Sequence, residues 1–286
     1  MRTIEDECSI ALSSAEDQAD MLHAIKQARG DIISWKAHQL RSVHRAEEKH
    51  SVLAKLASRS VLLVQDWAMN YTPRKYREAQ SDWFAKRGLP WHISVTIRRP
   101  DGSEHFLNRR HLFTYFNCAQ DSVTVALIML DCLTTLKKEI PGLEMAYYKQ
   151  DNAGCYHSGN SIISTKLAGD AVGVAVVRND LSDPQGGKGM CDRKAATIKG
   201  DVGRYVNEGN DVINALQLKT ALESGQGTTG VKASYVAAKP SSTFNIKWDG
   251  ISLLNNFEYD ETGVRVWRAF NVSSGKVVLW ERSKES

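Results

Sequence analysis

Two short apolar runs that each end in an aspartate constrain the fold of this chain more than any other feature. SVLLVQD ends at Asp66, and EMAYYKQD ends at Asp151. A continuous apolar run of this length is typical of a strand buried on both faces of a sheet. If the two strands are adjacent and parallel, both carboxylates lie at the carboxyl edge of the sheet, where open sheets usually place their active sites.

The pattern around these runs predicts an ordered series of further elements. WHISVTIRRP and HFLNRRHLFTYFN predict a second and a third strand on either side of a turn at Asp101-Gly102, and VTVALIMLDCLTTLKKE predicts a buried helix. A short helix in SIISTKLAG, a strand in VGVAVVRND and a helix from Lys188 to Val206 follow the run that ends at Asp151. This order predicts an α/β protein with a ribonuclease H-like mixed five-stranded sheet flanked by helices.

The composition divides the chain into four expected segments. Residues 1–58 form a helical N-terminal segment, because apolar residues recur there at three- and four-residue spacings. Residues 59–223 form the core, and the small polar stretch 224–243 is a linker or loop. Residues 244–286 alternate aromatic and polar side chains and predict a small C-terminal β segment.

Several classes of protein are disfavoured by composition. No apolar run approaches the roughly 20 residues of a membrane helix, and the acidic N-terminus is unlike a secretory signal, so we expect an intracellular protein. The five cysteines are scattered without a CxxC pair, which favours reduced thiols. Gly186-Gly187-Lys188-Gly189 lacks two required residues of a phosphate-binding loop, so no nucleotide cofactor is expected.

Paired aspartates at adjacent strand ends repel each other unless a cation neutralises them. Carboxylate oxygens suit Mg²⁺ or Mn²⁺, and two such ions promote in-line attack on a phosphodiester. We therefore expect Asp66 and Asp151 to be metal ligands. Asp192, at the start of the last core helix, is the third candidate, although a helix N-terminus favours an acid anyway. Asp183 competes with it, and Asp180 and Asp183 are expected in a loop.

A zinc site is a weaker alternative near the same acids. Cys155 and His157 follow Asp151, and Cys191 precedes Asp192. The C-x-H spacing matches no strong zinc pattern, and four good ligands are not evident.

Basic residues are concentrated early in the core. From Arg41 to Tyr115 there are 14 Lys and Arg against 7 Asp and Glu, a net charge of +7. Arg74, Lys75 and Arg77 are expected to contact a DNA backbone, and Lys188 is a candidate phosphate contact. A plain solvated face and a plain turn are the alternatives. The interspersed Trp83-Phe84 and Trp91 are expected in the core.

Three blocks of the sequence resemble proteins derived from DDE/D transposases in animal genomes. They are QDWAMNYTPRKYREAQSDWFAKRGLPWHIS, YKQDNAGCYHSGNSI and LSDPQGGKGMCDRKAATIK. The resemblance runs from about Trp35 to Trp267. It implies that Asp66, Asp151 and Asp192 bind the catalytic Mg²⁺ or Mn²⁺, although the family usually has Glu at the third position.

The resemblance implies a nuclear, transposase-like enzyme that cleaves and joins DNA and acts as a homo-oligomer. Two alternatives stay open. One is a domesticated DNA-binding or assembly protein without catalysis, or a fragment, because no DNA-reading module is recognised before the core. The other is a ribonuclease H-like nuclease.

Overall fold

In a computed structural model of the 286-residue chain, residues 14–84, 86–99, 112–182, 189–225, 228–236 and 246–280 are described. The chain forms two compact units, residues 1–50 and 51–286. The elements are α1 (Ala15–Lys55), β1 (Ser60–Tyr71), α2 (Gln80–Trp83), β2 (Leu89–Arg98), β3 (Leu112–Phe116), α3 (Ser122–Glu139), β4 (Met145–Gln150), α4 (Gly159–Val172), β5 (Ala175–Leu181), α5 (Met190–Asn207), α6 (Ala215–Glu223), β6 (Val231–Tyr235), a 3₁₀ turn (Ile251–Leu253), β7 (Asn256–Tyr259), β8 (Gly263–Trp267) and β9 (Lys276–Leu279).

The strands form one mixed sheet in the order β6-β3-β2-β1-β4-β5-β7-β8-β9. Its centre is β3-β2-β1-β4-β5, in which β1 pairs antiparallel with β2 and parallel with β4. Strands β2 and β3 are antiparallel, and β4 and β5 are parallel. This central order confirms the predicted ribonuclease H-like fold.

Over the described residues the sheet has nine strands, whereas the sequence predicted five. Within the expected linker 224–243, β6 pairs parallel with β3, and the C-terminal strands join the same sheet because β7 pairs antiparallel with β5. Both β3 and β5 would otherwise be edge strands with unpaired backbone groups, and added strands satisfy such edges. The five residues VKASY of β6 do alternate apolar and polar side chains, but they lie within a stretch of small and polar residues that was expected to be a linker.

Helices cover both faces of the core sheet. Ile128, Met129 and Leu133 of α3 pack with Leu63 of β1 in one buried cluster. Ile198 and Val202 of α5 and Leu218 of α6 pack with Ile93 of β2 in a cluster on the opposite face. The residues of β1 from Val61 to Leu63 are buried, which confirms the prediction of a strand covered on both sides.

Candidate active site

The two aspartates predicted from the apolar runs follow paired residues of neighbouring strands. Gln65 of β1 is paired with Gln150 of β4, and Asp66 and Asp151 are the next residues on each strand. Asp151 comes directly after β4, as predicted. The prediction that Asp66 ends its strand is wrong, because β1 continues to Tyr71. Pairing with β2 holds β1 extended after β4 has ended.

The third predicted acid lies in the first turn of α5. The backbone N–H of Gly189 donates to Oδ2 of Asp192 at 2.9 Å, so the carboxylate caps the helix. The Sγ of Cys191 lies 3.4 Å from the carbonyl oxygen of Val64 and holds this turn against β1, two residues before Asp66. Asp192 is therefore both a helix cap and a charge near Asp66. The competing Asp183 lies outside the described residues.

Electrostatics connect the three acids. Burial, followed by the negative charges of Asp151 and Asp192, raises the pKa of Asp66 to about 7, while the Trp67 backbone N–H opposes the rise. Within the described ranges, no Lys or Arg side chain forms an ion pair with Asp66. The ionised form of the Asp66 carboxyl is thus less favoured than that of an ordinary aspartate, and none of the described basic side chains offsets this with an ion pair.

The carboxylate oxygens at this site are suitable ligands for a hard divalent cation. Asp66 and Asp151 offer carboxylate oxygens, the ligands that Mg²⁺ and Mn²⁺ prefer, and a cation there would relieve their repulsion. In the described part of the chain, however, no group of three or more His, Cys, Asp or Glu side chains is arranged to hold a metal ion as it stands. Asp192 would have to share its carboxylate between the helix cap and a metal.

A buried amide network lies directly behind the acids. Asn179 Nδ2 donates to Gln150 Oε1 at 3.0 Å, Gln150 Nε2 donates to Gln65 Oε1 at 2.8 Å, and Gln65 Nε2 donates to Ser94 Oγ at 2.9 Å. These side chains belong to β5, β4, β1 and β2. The network ties together the residues that precede Asp66 and Asp151, so it fixes the register that sets the two acids side by side. Sequence reasoning missed it, because a glutamine in an apolar run signals neither burial nor a partner.

A neutral histidine lies among aromatic rings beside this network. His92 is fully buried, and its ring centroid is 5.1 Å from that of Trp67, 6.0 Å from that of Tyr115 and 6.1 Å from that of Tyr156. Burial lowers the pKa of His92 to about 3. The imidazole is therefore uncharged at neutral pH and cannot neutralise Asp66. Alternation in WHISV is the one sequence signal that this residue belongs to a buried strand.

The residues of the zinc alternative have separate partners. Trp67 Nε1 donates to Cys155 Sγ at 3.1 Å, and the Nε2 of His157 lies 2.7 Å from the carbonyl oxygen of Ile251. Burial raises the pKa of both Cys155 and Cys191, which disfavours the thiolate form that zinc requires. These contacts give the zinc site no support.

The predicted DNA-contacting residues lie on the connection from β1 to β2. It starts five residues beyond Asp66, about 17 Å along an extended strand. Lys75 is paired with Asp82 at 3.0 Å, and the Arg77 guanidinium lies 5.2 Å from the ring centre of Tyr76. Arg74 and Arg77 are exposed, and Lys188 lies outside the described residues.

The aromatic residues of this region divide into two groups. Trp91 is buried, which confirms the expectation that it belongs to the core. The same expectation is wrong for Trp83 and Phe84, which are 55% and 69% exposed. The four-residue α2 that contains Trp83 has no buried residues, so it provides no apolar face to pack.

Comparison with known proteins finds solved structures of low similarity and no match in sequence. No protein-family model matches the chain, and no curated protein sequence matches it. Among solved structures, it is similar to the human cytomegalovirus terminase nuclease domain with manganese and an inhibitor (9% identity, TM-score 0.27, covering 62% of this chain and 64% of that one). It is also similar to the same domain without additions (10%, 0.26, 64% and 66%) and soaked with manganese (11%, 0.25, 68% and 70%). The chain thus spans less than two thirds of the first two structures.

Proposed function

We propose that this chain is a metal-dependent enzyme that cleaves and transfers phosphodiester strands of DNA, in the manner of a transposase. The observation that carries the proposal is the coupling of Asp66, Asp151 and Asp192. Burial and two neighbouring acids raise the pKa of Asp66, and no basic side chain among the described residues compensates. Proteins keep such costly repulsion mainly where function uses it.

Each acid has a distinct role in this proposal. Asp66 and Asp151 supply oxygen ligands from adjacent strands, and Asp192 supplies a third from the first turn of α5. Bound Mg²⁺ or Mn²⁺ would activate a water or a 3′ hydroxyl and stabilise the leaving oxygen. The half-buried position of Asp66 limits the water around it, which strengthens its attraction for a cation. The neutral His92 adds no competing positive charge.

DNA as the substrate rests on charge and on the transposase-like blocks of the sequence. Arg74, Lys75 and Arg77 would bind backbone phosphates beyond the acids, and Lys188 would bind one near α5. The exposed Trp83 and Phe84 offer rings on which bases can stack beside these cations. A protein acting on chromosomal DNA would work in the nucleus.

One observation favours a second candidate function, a DNA-binding protein without catalysis. Asp192 is engaged by the Gly189 N–H, and the acids in the described ranges are not gathered into a ready metal site. In that case the chain would keep its basic surface and bind no divalent ion at the acids. A nuclease that cleaves without strand transfer shares the whole site with the first candidate, so product analysis distinguishes these two.

Metal binding and cleavage test the proposal together. Calorimetric titration with Mn²⁺ and Mg²⁺, and cleavage of end-labelled DNA in each metal, are measured for wild type, Asp66→Asn, Asp151→Asn and Asp192→Asn. Asp249→Asn is the matched control, because Asp249 is exposed and outside the cluster. We expect the first two variants to lose both metal binding and cleavage while DNA binding persists. A wild-type protein that binds no divalent ion would overturn the catalytic proposal and leave the DNA-binding function.

A further inference from the structure

The N-terminal helix α1 carries an exposed apolar stripe. Six large apolar side chains on it are each between 44% and 58% exposed: Met21, Ile32, Ile33, Trp35, Leu40 and Val43. The stripe from Met21 to Val43 is about 33 Å long. At about 100° per residue, the six side chains fall within one sector roughly 160° wide. A helical stripe this wide normally packs against another element.

The spacing of the stripe fits a helix partner. Met21, Ile25, Ala28, Ile32 and Trp35 follow one another at intervals of four, three, four and three residues. This alternation is the 3.5-residue average of a left-handed coiled coil, in which a second helix covers the seam. A sheet or an irregular loop would not match a seam of this period.

The charges of α1 indicate which helix is the partner and in which direction it runs. Residues 15–31 contain two basic and four acidic side chains, a net charge of −2. Residues 32–50 contain four basic and two acidic side chains, a net charge of +2. Two copies placed antiparallel set each acidic half against a basic half, whereas parallel copies set like charges together. Such complementarity selects both partner and orientation.

We propose that α1 pairs antiparallel with α1 of a second copy of this chain, with the two-fold axis near Gly30. This arrangement puts Ile25 of one copy near Trp35 of the other and Ala28 near Ile32, so the seam residues face one another. The interface is isologous, so it closes as a dimer. The stripe lies wholly in residues 15–50, so the dimer does not depend on the function of the acids.

Cysteine cross-linking tests the pairing and its direction. Ile25→Cys, Ala28→Cys, Ile32→Cys and Trp35→Cys are made separately in the 286-residue chain with Cys8→Ser, because the other native cysteines are buried or half-buried. Under mild oxidation, we expect an equal mixture of Ala28→Cys and Ile32→Cys to form the mixed dimer. An equal mixture of Ile25→Cys and Trp35→Cys should do the same, and neither of these two should link to itself. Self-linking of Ile25→Cys and of Trp35→Cys would show parallel pairing and overturn the proposal.

Light scattering on unmodified protein provides the independent measurement. We expect wild type to have twice the monomer mass. Ile32→Asp should raise the dissociation constant of the dimer about tenfold or more, which corresponds to a loss of at least about 1.4 kcal/mol in binding free energy. Gln27→Asp, on the opposite side of α1, is the matched control and should stay dimeric. The thermal unfolding of both variants shows that the core is intact. A wild-type monomer, together with no cross-link between Ile25→Cys and Trp35→Cys, would show that α1 packs on its own chain or on another protein, and would overturn the proposal.

Discussion

Asp66 and Asp180 lie on the same sheet in opposite electrostatic environments. Asp180 of β5 is 2% exposed, and its Oδ1 accepts hydrogen bonds from Arg178 Nε at 2.8 Å and Asn256 Nδ2 at 2.7 Å. Arg178 in turn donates to Ser51 Oγ at 3.1 Å, and its guanidinium lies 3.6 Å from the ring centre of Phe270. Every charge in this group has a partner supplied by the protein.

Burial, and then the charges of two further acids, raise the pKa of Asp66. Over the part of the chain that the structure describes, the protein therefore supplies a cation to the carboxylate of Asp180 and none to that of Asp66. This difference separates a structural acid from a candidate ligand better than burial does, because Asp180 is the more buried of the two. The expectation that Asp180 belongs to a loop is wrong, because β5 continues to Leu181.

Breaking the buried group formed by Asp180, Arg178 and Asn256 should have the largest effect on stability. Asp180→Ala leaves the Arg178 guanidinium buried without its anion, and we expect a loss of about 3–5 kcal/mol in the free energy of unfolding. Urea denaturation measures it. The double variant Arg178→Met, Asp180→Leu removes both charges and should recover most of the loss. A cost under about 1 kcal/mol for Asp180→Ala would mean that solvent reaches Arg178.

The amide network behind the acids should have the next largest effect. Gln150→Leu leaves Gln65 Oε1 and Asn179 Nδ2 unpaired, and we expect a loss of about 1–3 kcal/mol in the free energy of unfolding. Gln65→Leu combined with Gln150→Leu should cost less than the sum of the single changes, because the pair between them is removed together. Additive costs in urea denaturation would contradict coupling across β1 and β4.

In the cluster of Asp66, Asp151 and Asp192, removing the charge of Asp66 should stabilise the protein. The folded-state pKa of about 7 lies above the ordinary 3.8, so the folded state holds a proton that the unfolded state releases. The contribution of Asp66 to stability therefore falls as pH rises from about 4 to about 7, whereas the buried His92, whose pKa is lowered, gives a contribution that rises over the same range. After allowance for solvent screening, we expect Asp66→Asn to be about 1 kcal/mol more stable than wild type at pH 8 without metal.

Thermal unfolding between pH 4 and pH 8 measures this difference. The stability of Asp66→Asn relative to wild type should increase over this range, and His92 is present in both proteins, so its own pH dependence cancels in the difference. Mn²⁺ should reduce the increase, because a cation stabilises the ionised carboxylates of wild type. Asp249→Asn serves again as the control and should follow the wild-type profile. A difference between Asp66→Asn and wild type that stays constant with pH would contradict the raised pKa of Asp66.

The sequence predicted the central elements and the neighbouring placement of Asp66 and Asp151 because both depend on local apolar runs and strand order. A C-terminal β segment was predicted, but its joining the edge of the core sheet, and the strand β6 at the other edge, were not, because they depend on which backbone groups remain unpaired after the core has formed. The ion pair of Arg178 and Asp180 was missed because Asp180 was expected in a loop, whereas β5 continues to Leu181 and residues two apart in one strand lie on the same face. Asp192 was found by resemblance, whereas its role as a helix cap follows from its third position in α5.

The basic residues beyond β1 also differ in whether a carboxylate of the protein is paired with them. Substitutions of these residues should have the smallest effects. A hydrogen bond to Asp82, together with that carboxylate's charge, raises the pKa of Lys75 and engages its ammonium group. Arg77 has a ring contact with Tyr76 and is exposed. If these residues bind DNA phosphates, Arg77→Gln should weaken binding about threefold and lower the salt dependence by about one counterion. Lys75→Gln should have less effect.

Asp82→Asn sharpens this last comparison, because it releases Lys75 without changing any basic residue. We expect DNA binding to tighten by about twofold and its salt dependence to rise, since one more ammonium group can reach a phosphate and one repelling carboxylate is gone. Fluorescence anisotropy with labelled duplex at several salt concentrations measures both quantities. If Asp82→Asn weakens binding, Asp82 orders the connection between β1 and β2 and its pairing with Lys75 supports the DNA surface instead of competing with it.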